Sequence, residues 1–241
     1  DRKDAVKLAN YGLDRWLTLP RYIPEENTRL LLKNCYRQYR QYSKVQTVLK
    51  NNLISLLDMT FPNANRLFVS PARADGSEKW VDFVAEFWHC ECVSERSLKS
   101  FVNKYWRWCR KHGYNFSEEK AHAIYDEASG HIGVMPKSET TKLLVEQAVS
   151  QLSATSAALA ALKQEMQSLS SQLPEYPVVM GMFGVGPILG PQLIAEIGDV
   201  RRFYSKKALV AYAGIDAPPN DSGDVIGRHK SMSKVLSLIH I

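Results

Sequence analysis

Apolar residues between positions 145 and 173 recur at alternating steps of three and four. This spacing is typical of the seam of a coiled-coil helix, and Pro174 and Pro177 predict where the helix ends. Each well-buried Leu would contribute about 1.5 to 3 kcal/mol, so the seam needs a partner helix. That partner is either another subunit or another helix of this chain. The seam consists of Val145, Ala148, Leu152, Thr155, Leu159, Leu162, Met166, Leu169 and Leu173.

A second long helical pattern follows Pro24 and reaches about Met59, where Pro62 and Asn63 predict its end. One face of this helix would carry basic residues only. Such a face is either a solvated surface or a nucleic-acid-binding surface, and its single sign of charge favours nucleic acid. The basic residues are Arg29, Lys33, Arg37, Arg40 and Lys44. The apolar residues expected to face a core or partner are Leu31, Cys35, Tyr42, Val45, Leu49 and Leu56.

Shorter helical patterns lie between the two long helices, including Trp80 to Trp88 and Leu98 to His112. A group of Cys and His residues in this region has the side-chain types of a zinc site, but its spacing is unusual and the Trp residues nearby favour core packing. The group is His89, Cys90, Cys92, Cys109 and His112. The chain is therefore expected to be mainly α, a helical bundle with long coiled-coil helices.

Composition adds a charge preference to this picture. The 241 residues carry a formal net charge of +6 and a pI of about 9.1, which favours a polyanionic partner. The sequence contains no apolar run of about 18 residues and no visible signal peptide, so we expect a cytoplasmic protein without a membrane partner.

A Gly-Val-Gly-Pro turn at residues 184–187 opens a predicted helix near the C-terminus. Gly184 and Gly186 allow close backbone approach, and Pro187 favours the first helical turn. The free N–H groups of such a turn suit a phosphate oxygen, as in a helix-hairpin-helix module that binds DNA backbone. Ordinary helix capping is the alternative interpretation.

The segment from Met182 to Lys234 resembles the C-terminal domain of the insertion sequence 110 family of transposases, whose better-studied members are guided by a bridge RNA. Six features agree in order along the sequence. They are the glycine hairpin, Glu196-Ile-Gly-Asp199, Ala211-Tyr-Ala-Gly214, Ala217-Pro-Pro219, Ser222-Gly223 and Ser231-Met-Ser-Lys234.

The resemblance implies roles for individual residues. Ser222 would be the nucleophile that attaches to DNA, although a Ser beside Gly is by itself a common turn residue. Asp1 and Asp4 fit the last acidic pair of the family's ribonuclease-H-like domain and would hold Mg²⁺; by itself, the pair is usually a helix cap with a neighbouring charge. The residues expected to contact phosphates are Gly184, Gly186, Arg201, Arg202, Lys206, Lys207, Arg228 and Lys230.

The resemblance also implies an organisation into four segments. They are 1–20, the end of the ribonuclease-H-like α/β domain; 21–136, a helical region; 137–174, the coiled coil; and 175–241, a serine transposase domain with the hairpin. We expect the rest of the α/β domain upstream and a non-native stretch at 236–241. The chain alone should then bind nucleic acid without recombining it.

The expected function is a recombinase of an insertion sequence in a bacterium or archaeon. The expected partners are DNA, a structured guide RNA and a second copy of the chain through the coiled coil. Two interpretations compete with it: a non-catalytic helix-hairpin-helix DNA-binding module that self-associates, and a coiled-coil assembly protein with incidental charge.

Overall fold

The structure, a computed structural model, describes residues 2–18 and 26–214. Those ranges contain α-helices and no β-strand, which confirms the mainly α fold. None of the helices in this part of the chain is both long and apolar enough to cross a membrane. The helices are α1 (Arg2–Arg15), α2 (Asn27–Thr60), α3 (Lys79–Glu86), α4 (Glu91–Ser94), α5 (Leu98–His112), α6 (Glu118–Gly130), α7 (Glu139–Ser171), α8 (Tyr176–Met180), α9 (Leu189–Ile197) and α10 (Lys206–Tyr212).

The two long helices, α2 and α7, pack against each other along most of their length in antiparallel directions. Met135, before α7, donates its backbone N–H to Met59 at the end of α2, at 3.0 Å. Near the middle, Gln46 donates to the Ser156 hydroxyl at 2.8 Å. The partner of the α7 seam is thus a helix of the same chain.

The seam predicted for α7 is confirmed by burial. Thr155 and Leu162 are half-buried, and the remaining seam residues are buried. Because α2 covers this face, a homo-oligomer would need a different surface from the one expected. The buried seam residues are Val145, Ala148, Leu152, Leu159, Met166, Leu169 and Leu173.

The inward face of α2 agrees only in part with the one the sequence predicts, since Cys35, Leu49 and Leu56 pack against buried apolar residues. Leu31 and Val45, expected to point inward, are 54% and 45% exposed. The central third of α2 is polar, so its few apolar residues fit more than one helical face, and packing against α7 decides between them. The inward residues that the sequence did not assign to this face are Leu32, Tyr36, Tyr39, Gln46, Leu53 and Leu57.

A dense group of aromatic rings, which we call the aromatic cluster, forms the main core at one end of the α2–α7 pair. Phe83 on α3 stacks on Phe87 with ring centroids 4.6 Å apart and meets Trp108 edge-on at 5.6 Å. Ser97 caps α5 by accepting the Ser100 N–H, and Gly113 ends the helix with a φ of 66°. The cluster therefore fixes the axial position and rotation of α5. Its fully buried rings are Phe61, Phe83, Phe87, Phe101, Tyr105 and Trp108.

The Cys and His group belongs to this core, as the sequence favours. Cys90 and Cys109 are buried in the aromatic cluster. His89 is buried, lies within hydrogen-bonding distance of the Met135 carbonyl (3.0 Å) and accepts the Glu91 N–H through Nδ1. Among the described residues, no three His, Cys, Asp or Glu side chains come together as a metal site.

A smaller apolar group, which we call the hairpin cluster, joins α8 and α9 to the opposite end of the α2–α7 pair. It is closed by a partly buried ion pair between Arg29, in the first turn of α2, and Glu175, just before α8. The C-terminal hairpin is thus attached to the long helices by a limited apolar contact and one charge pair. The buried apolar residues are Leu32, Met166, Leu169, Leu173, Ile194 and Ala195.

Candidate nucleic-acid interface

The glycine turn connects α8 and α9, two short helices that contact each other. Gly184 has a φ of 80°, a conformation that L side chains rarely adopt. The Val185 N–H donates to the Met182 carbonyl at 3.1 Å, and the Gly186 carbonyl accepts the Gly190 N–H at 2.9 Å as the first bond of the following helix. The predicted turn before a helix is therefore present.

Gly186 leaves the start of α9 open. Its φ is not in the left-handed region, and a Cβ built there meets no atom within 4 Å. The N–H groups of Gly186 and Ile188 donate to no backbone acceptor among the described residues. Backbone N–H groups at the start of a helix attract anionic oxygen. This turn can accept a phosphate without displacing a side chain.

Two large apolar residues at the tip of the hairpin were missed by sequence reasoning. Phe183 is fully exposed, and Met182 is half-exposed. A Phe in an apolar stretch is normally expected in a core, so no signal in the sequence marked Phe183 as a surface residue. Apolar side chains at such a tip are the type that enters the minor groove or a base step.

The described basic residues after α9, at positions 201 to 207, are exposed, but their local partners differ. Arg201 donates through Nε to Asp199 at 2.9 Å, and this hydrogen bond lowers the pKa of the Asp199 carboxyl. Arg202 lies over the rings of Phe203 and Tyr212, 4.7 Å from each centroid. Part of the positive charge is therefore already engaged within the protein.

Lys206 and Lys207 begin α10, whose first turn has no acidic residue. Cations at a helix N-terminus oppose the helix dipole at a cost of about 0.3 to 1 kcal/mol. Ser205 caps the helix by accepting the Ala208 N–H. Both lysine side chains are exposed, so an external anion can supply their counter-charge.

The basic face of α2 is only partly available. Arg37 and Lys44 are exposed, whereas Lys33 and Arg40 are half-buried. The Arg40 guanidinium lies 5.8 Å from the centre of the Tyr36 ring. Tyr36 and Lys163 are close to the hairpin as well: Tyr36 packs into the hairpin cluster, and Lys163 on α7 lines a small cleft with Pro187 and Ile188. Lys163 adds a cation near the turn that sequence reasoning did not select.

Arg29 departs from the expected exposed face. Its side chain is 4% exposed and is held by Glu175, with Glu26 at 3.5 Å. The hydrogen bond to Glu175 raises the pKa of Arg29, and the same bond lowers the pKa of Glu175. The sequence could not show this, because the partner lies 146 residues away. Arg29 fixes the position of the hairpin and leaves no free charge for a phosphate.

Several expected site residues are not brought together in the described part of the chain. Asp4 lies in the first turn of α1 and is exposed. Asp1, Ser222, Arg228 and Lys230 lie outside the described residues.

Comparison with protein-family models gives a match for the same part of the chain. Residues 176–237 match the model described as Transposase IS116/IS110/IS902 family. No curated protein and no solved structure matches. The matched range contains the glycine hairpin, α9, the basic residues after it and Ser222. Residues 176–237 of this chain are therefore similar to the IS116/IS110/IS902 family of transposases.

Proposed function

We propose that this protein cuts and rejoins DNA through a covalent bond between Ser222 and the DNA backbone. The observation that carries the proposal is the family match, which includes Ser222 and begins at the α8–α9 hairpin. The Ser222 Oγ attacks the phosphorus of a phosphodiester; an Oγ–P bond forms, and the bond from phosphorus to the leaving deoxyribose oxygen breaks. The hydroxyl proton passes to a base and the leaving oxygen gains a proton. Attack by another DNA hydroxyl reverses the step and conserves the bond energy.

The hairpin and the cations beside it would hold the DNA backbone during this step. Gly184 and Gly186 leave the start of α9 open to a phosphate. The exposed cations would neutralise neighbouring phosphates and contribute most of the sequence-independent affinity. They comprise Arg201, Arg202, Lys206 and Lys207, together with Arg228 and Lys230 from the matched segment.

Mg²⁺ is proposed from the resemblance alone. Asp4 is an exposed carboxylate on α1, and the described residues hold no group of three possible ligands. Mg²⁺ requires more oxygen ligands than one side chain supplies. The described residues therefore do not form a site that fits the ion, and none of the steps above depends on it.

A structured guide RNA and self-association complete the proposal. Arg37 and Lys44 form the most accessible part of the α2 basic face and are the candidates for RNA backbone contacts. Self-association would use a surface other than the α7 seam, because α2 already covers that seam.

The test of the proposal is a denaturation-resistant protein–DNA adduct. It is sought with the 241-residue chain and with the full-length product of its gene, each compared with Ser222→Ala. The matched control is Ser168→Ala, which removes an exposed hydroxyl from α7. We expect an adduct in the parent and the control and none in Ser222→Ala. An adduct of equal yield in all three would place the nucleophile elsewhere. DNA binding with no adduct in any full-length protein would favour the non-catalytic binding module.

A further inference from the structure

The outer face of α5 is strongly basic and lies outside the segment that matches the transposase family. The helix carries five Lys or Arg residues and no Asp or Glu. Its inner face is fixed in the aromatic cluster by Phe101, Tyr105 and Trp108, so the basic side chains project from a rigid support. The five cations are Lys99, Lys104, Arg107, Arg110 and Lys111.

An open groove of about 740 Å³ runs along this face, and Arg96 from the preceding turn extends its basic lining. Its only acidic lining residue among those described is Glu86, which pairs with Lys104 at 3.4 Å. Arg96, Lys99, Arg107 and Lys111 form no ion pair with any described residue, and all four are exposed. Four like charges held together without counter-charges indicate an external polyanion.

The spacing of these charges suits a nucleic-acid strand. Residues 99 to 111 of α5 lie along about 18 Å of helix axis at the helical rise of about 1.5 Å per residue, and Arg96 precedes the helix. Duplex DNA presents one phosphate on each strand for about every 3.4 Å of its axis, so several phosphates can be contacted at once. Ser97, Ser100 and Asn103 line the same groove and supply neutral hydrogen-bond donors, which are common partners of phosphate oxygens.

The groove lacks the features that bind a single strand through its bases. Trp108 reaches the groove but is 2% exposed. Trp106 is 41% exposed, but the Arg110 guanidinium lies 5.0 Å from its ring centre. Single-strand binding depends on open aromatic faces for stacking. The groove therefore fits the backbone of a duplex better than splayed bases.

We propose that Arg96, Lys99, Arg107 and Lys111 bind the sugar-phosphate backbone of duplex DNA, as a second DNA surface remote from the family-matched hairpin. The choice of DNA over duplex RNA rests on the proposed function, whereas the surface itself rests on the charges of α5. The two surfaces lie in different packing units, since α5 belongs to the aromatic cluster and α9 to the hairpin cluster. One DNA molecule, or two, would then contact both ends of the α2–α7 pair.

The test compares two triple substitutions that remove the same charge. The first, K99Q/R107Q/K111Q, neutralises the α5 face. The second, K7Q/R15Q/R66Q, removes three exposed cations elsewhere. Binding of the 241-residue chain to duplex DNA is measured by fluorescence anisotropy at several salt concentrations. Because all six side chains are exposed, thermal unfolding should be unchanged in both variants.

We expect the α5 variant to bind duplex DNA at least about tenfold more weakly at low salt, with no dependence on sequence. The slope of log affinity against log salt should fall by about 0.9 for each lost phosphate contact. The control variant should keep the parental slope. Equally weakened DNA binding in both variants would mean that only net charge matters. Unchanged DNA binding by the α5 variant would exclude the site. Either result overturns the inference.

A second measurement locates the contact directly. Acetylation of lysines, followed by mass spectrometry, should show Lys99 and Lys111 protected by duplex DNA and Lys7 unprotected. Protection by duplex RNA but not by DNA would overturn the choice of DNA. If Ser222 forms no adduct while the α5 variant still loses DNA binding, the proposed catalysis fails and this surface stands. If the adduct forms and the α5 variant binds DNA normally, the proposed catalysis stands and this surface is excluded.

Discussion

The two ends of the α2–α7 pair are held in different ways. At the aromatic cluster, α3, α5 and α6 close a core of stacked and edge-on rings whose members are almost completely buried. At the hairpin cluster, six buried apolar residues and the Arg29–Glu175 pair attach α8 and α9. The first end has the packing of a rigid scaffold. The second, which carries the segment that matches the transposase family, is attached to the long helices by fewer buried residues.

The largest effect is expected from Phe83→Ala. Phe83 is fully buried and packs against Phe61, Phe68, Phe87, Tyr105 and Trp108. Removing such a ring leaves a cavity and should lower the free energy of unfolding by about 3 to 5 kcal/mol. Urea unfolding followed by tryptophan fluorescence measures this.

Phe183→Ala is the matched control, because the same ring is removed from a fully exposed position. Its free energy of unfolding should stay within about 0.5 kcal/mol of the parent. A comparable loss in both variants would contradict the assignment of Phe83 to the core and of Phe183 to the surface.

A smaller and more local effect is expected from Glu175→Ala, which leaves the Arg29 guanidinium buried without its main partner. Loss of the pair should cost about 2 to 3 kcal/mol, mostly at the hairpin end. Hydrogen exchange should accelerate in α8 and α9 and remain slow in α5. Glu165→Ala, which removes an exposed carboxylate from α7, should change neither region. Global unfolding at the same denaturant concentration in both segments would show that the two ends are one cooperative unit.

Lowering the pH should destabilise the hairpin end through the Arg29–Glu175 pair. The pKa of Glu175 is lowered in the folded protein by its hydrogen bond with Arg29, so the folded state binds this proton more weakly than the unfolded state. The stability it contributes is complete above the unfolded pKa, about 4.3, and is lost as the pH falls through the lower folded value. Asp199 also has a lowered pKa, because of Arg201, and adds to the same trend. Exchange in α8 and α9, corrected for intrinsic rates, should rise below about pH 4.5, and Glu175→Ala should flatten this dependence.

The smallest effects on stability are expected at the two glycines of the turn, and the two substitutions should differ. Gly184→Ala forces a side chain into a φ of 80° and should cost about 1 to 2 kcal/mol locally. Gly186→Ala meets no neighbour and should leave the free energy of unfolding within about 0.5 kcal/mol. It should nevertheless weaken DNA binding, because the added methyl group lies at the open start of α9. Thermal unfolding and anisotropy measure the two quantities. Unaltered binding by a folded Gly186→Ala protein would exclude a phosphate at this turn.

Residues close together in sequence were predicted well. Helix α7, the end of α2 near Pro62, the helix at Leu98 to His112 and the glycine turn all follow local rules of period, capping and proline position. The core role of the Cys and His group also followed from its spacing and neighbours. These features depend on a few consecutive residues, so the sequence contains their cause directly.

The tertiary structure alone decided three further points. Helix α7 pairs with α2 of the same chain. The sequence could not decide this, because a seam with alternating steps of three and four fits any complementary helix. Arg29 is buried, because Glu175 is brought to it from the far end of α7. The outer face of α5 becomes a basic groove, because burial of its aromatic face fixes which side remains exposed. The sequence determined the helices and the family match of the C-terminal segment; the packing between distant residues determined which charges remain exposed.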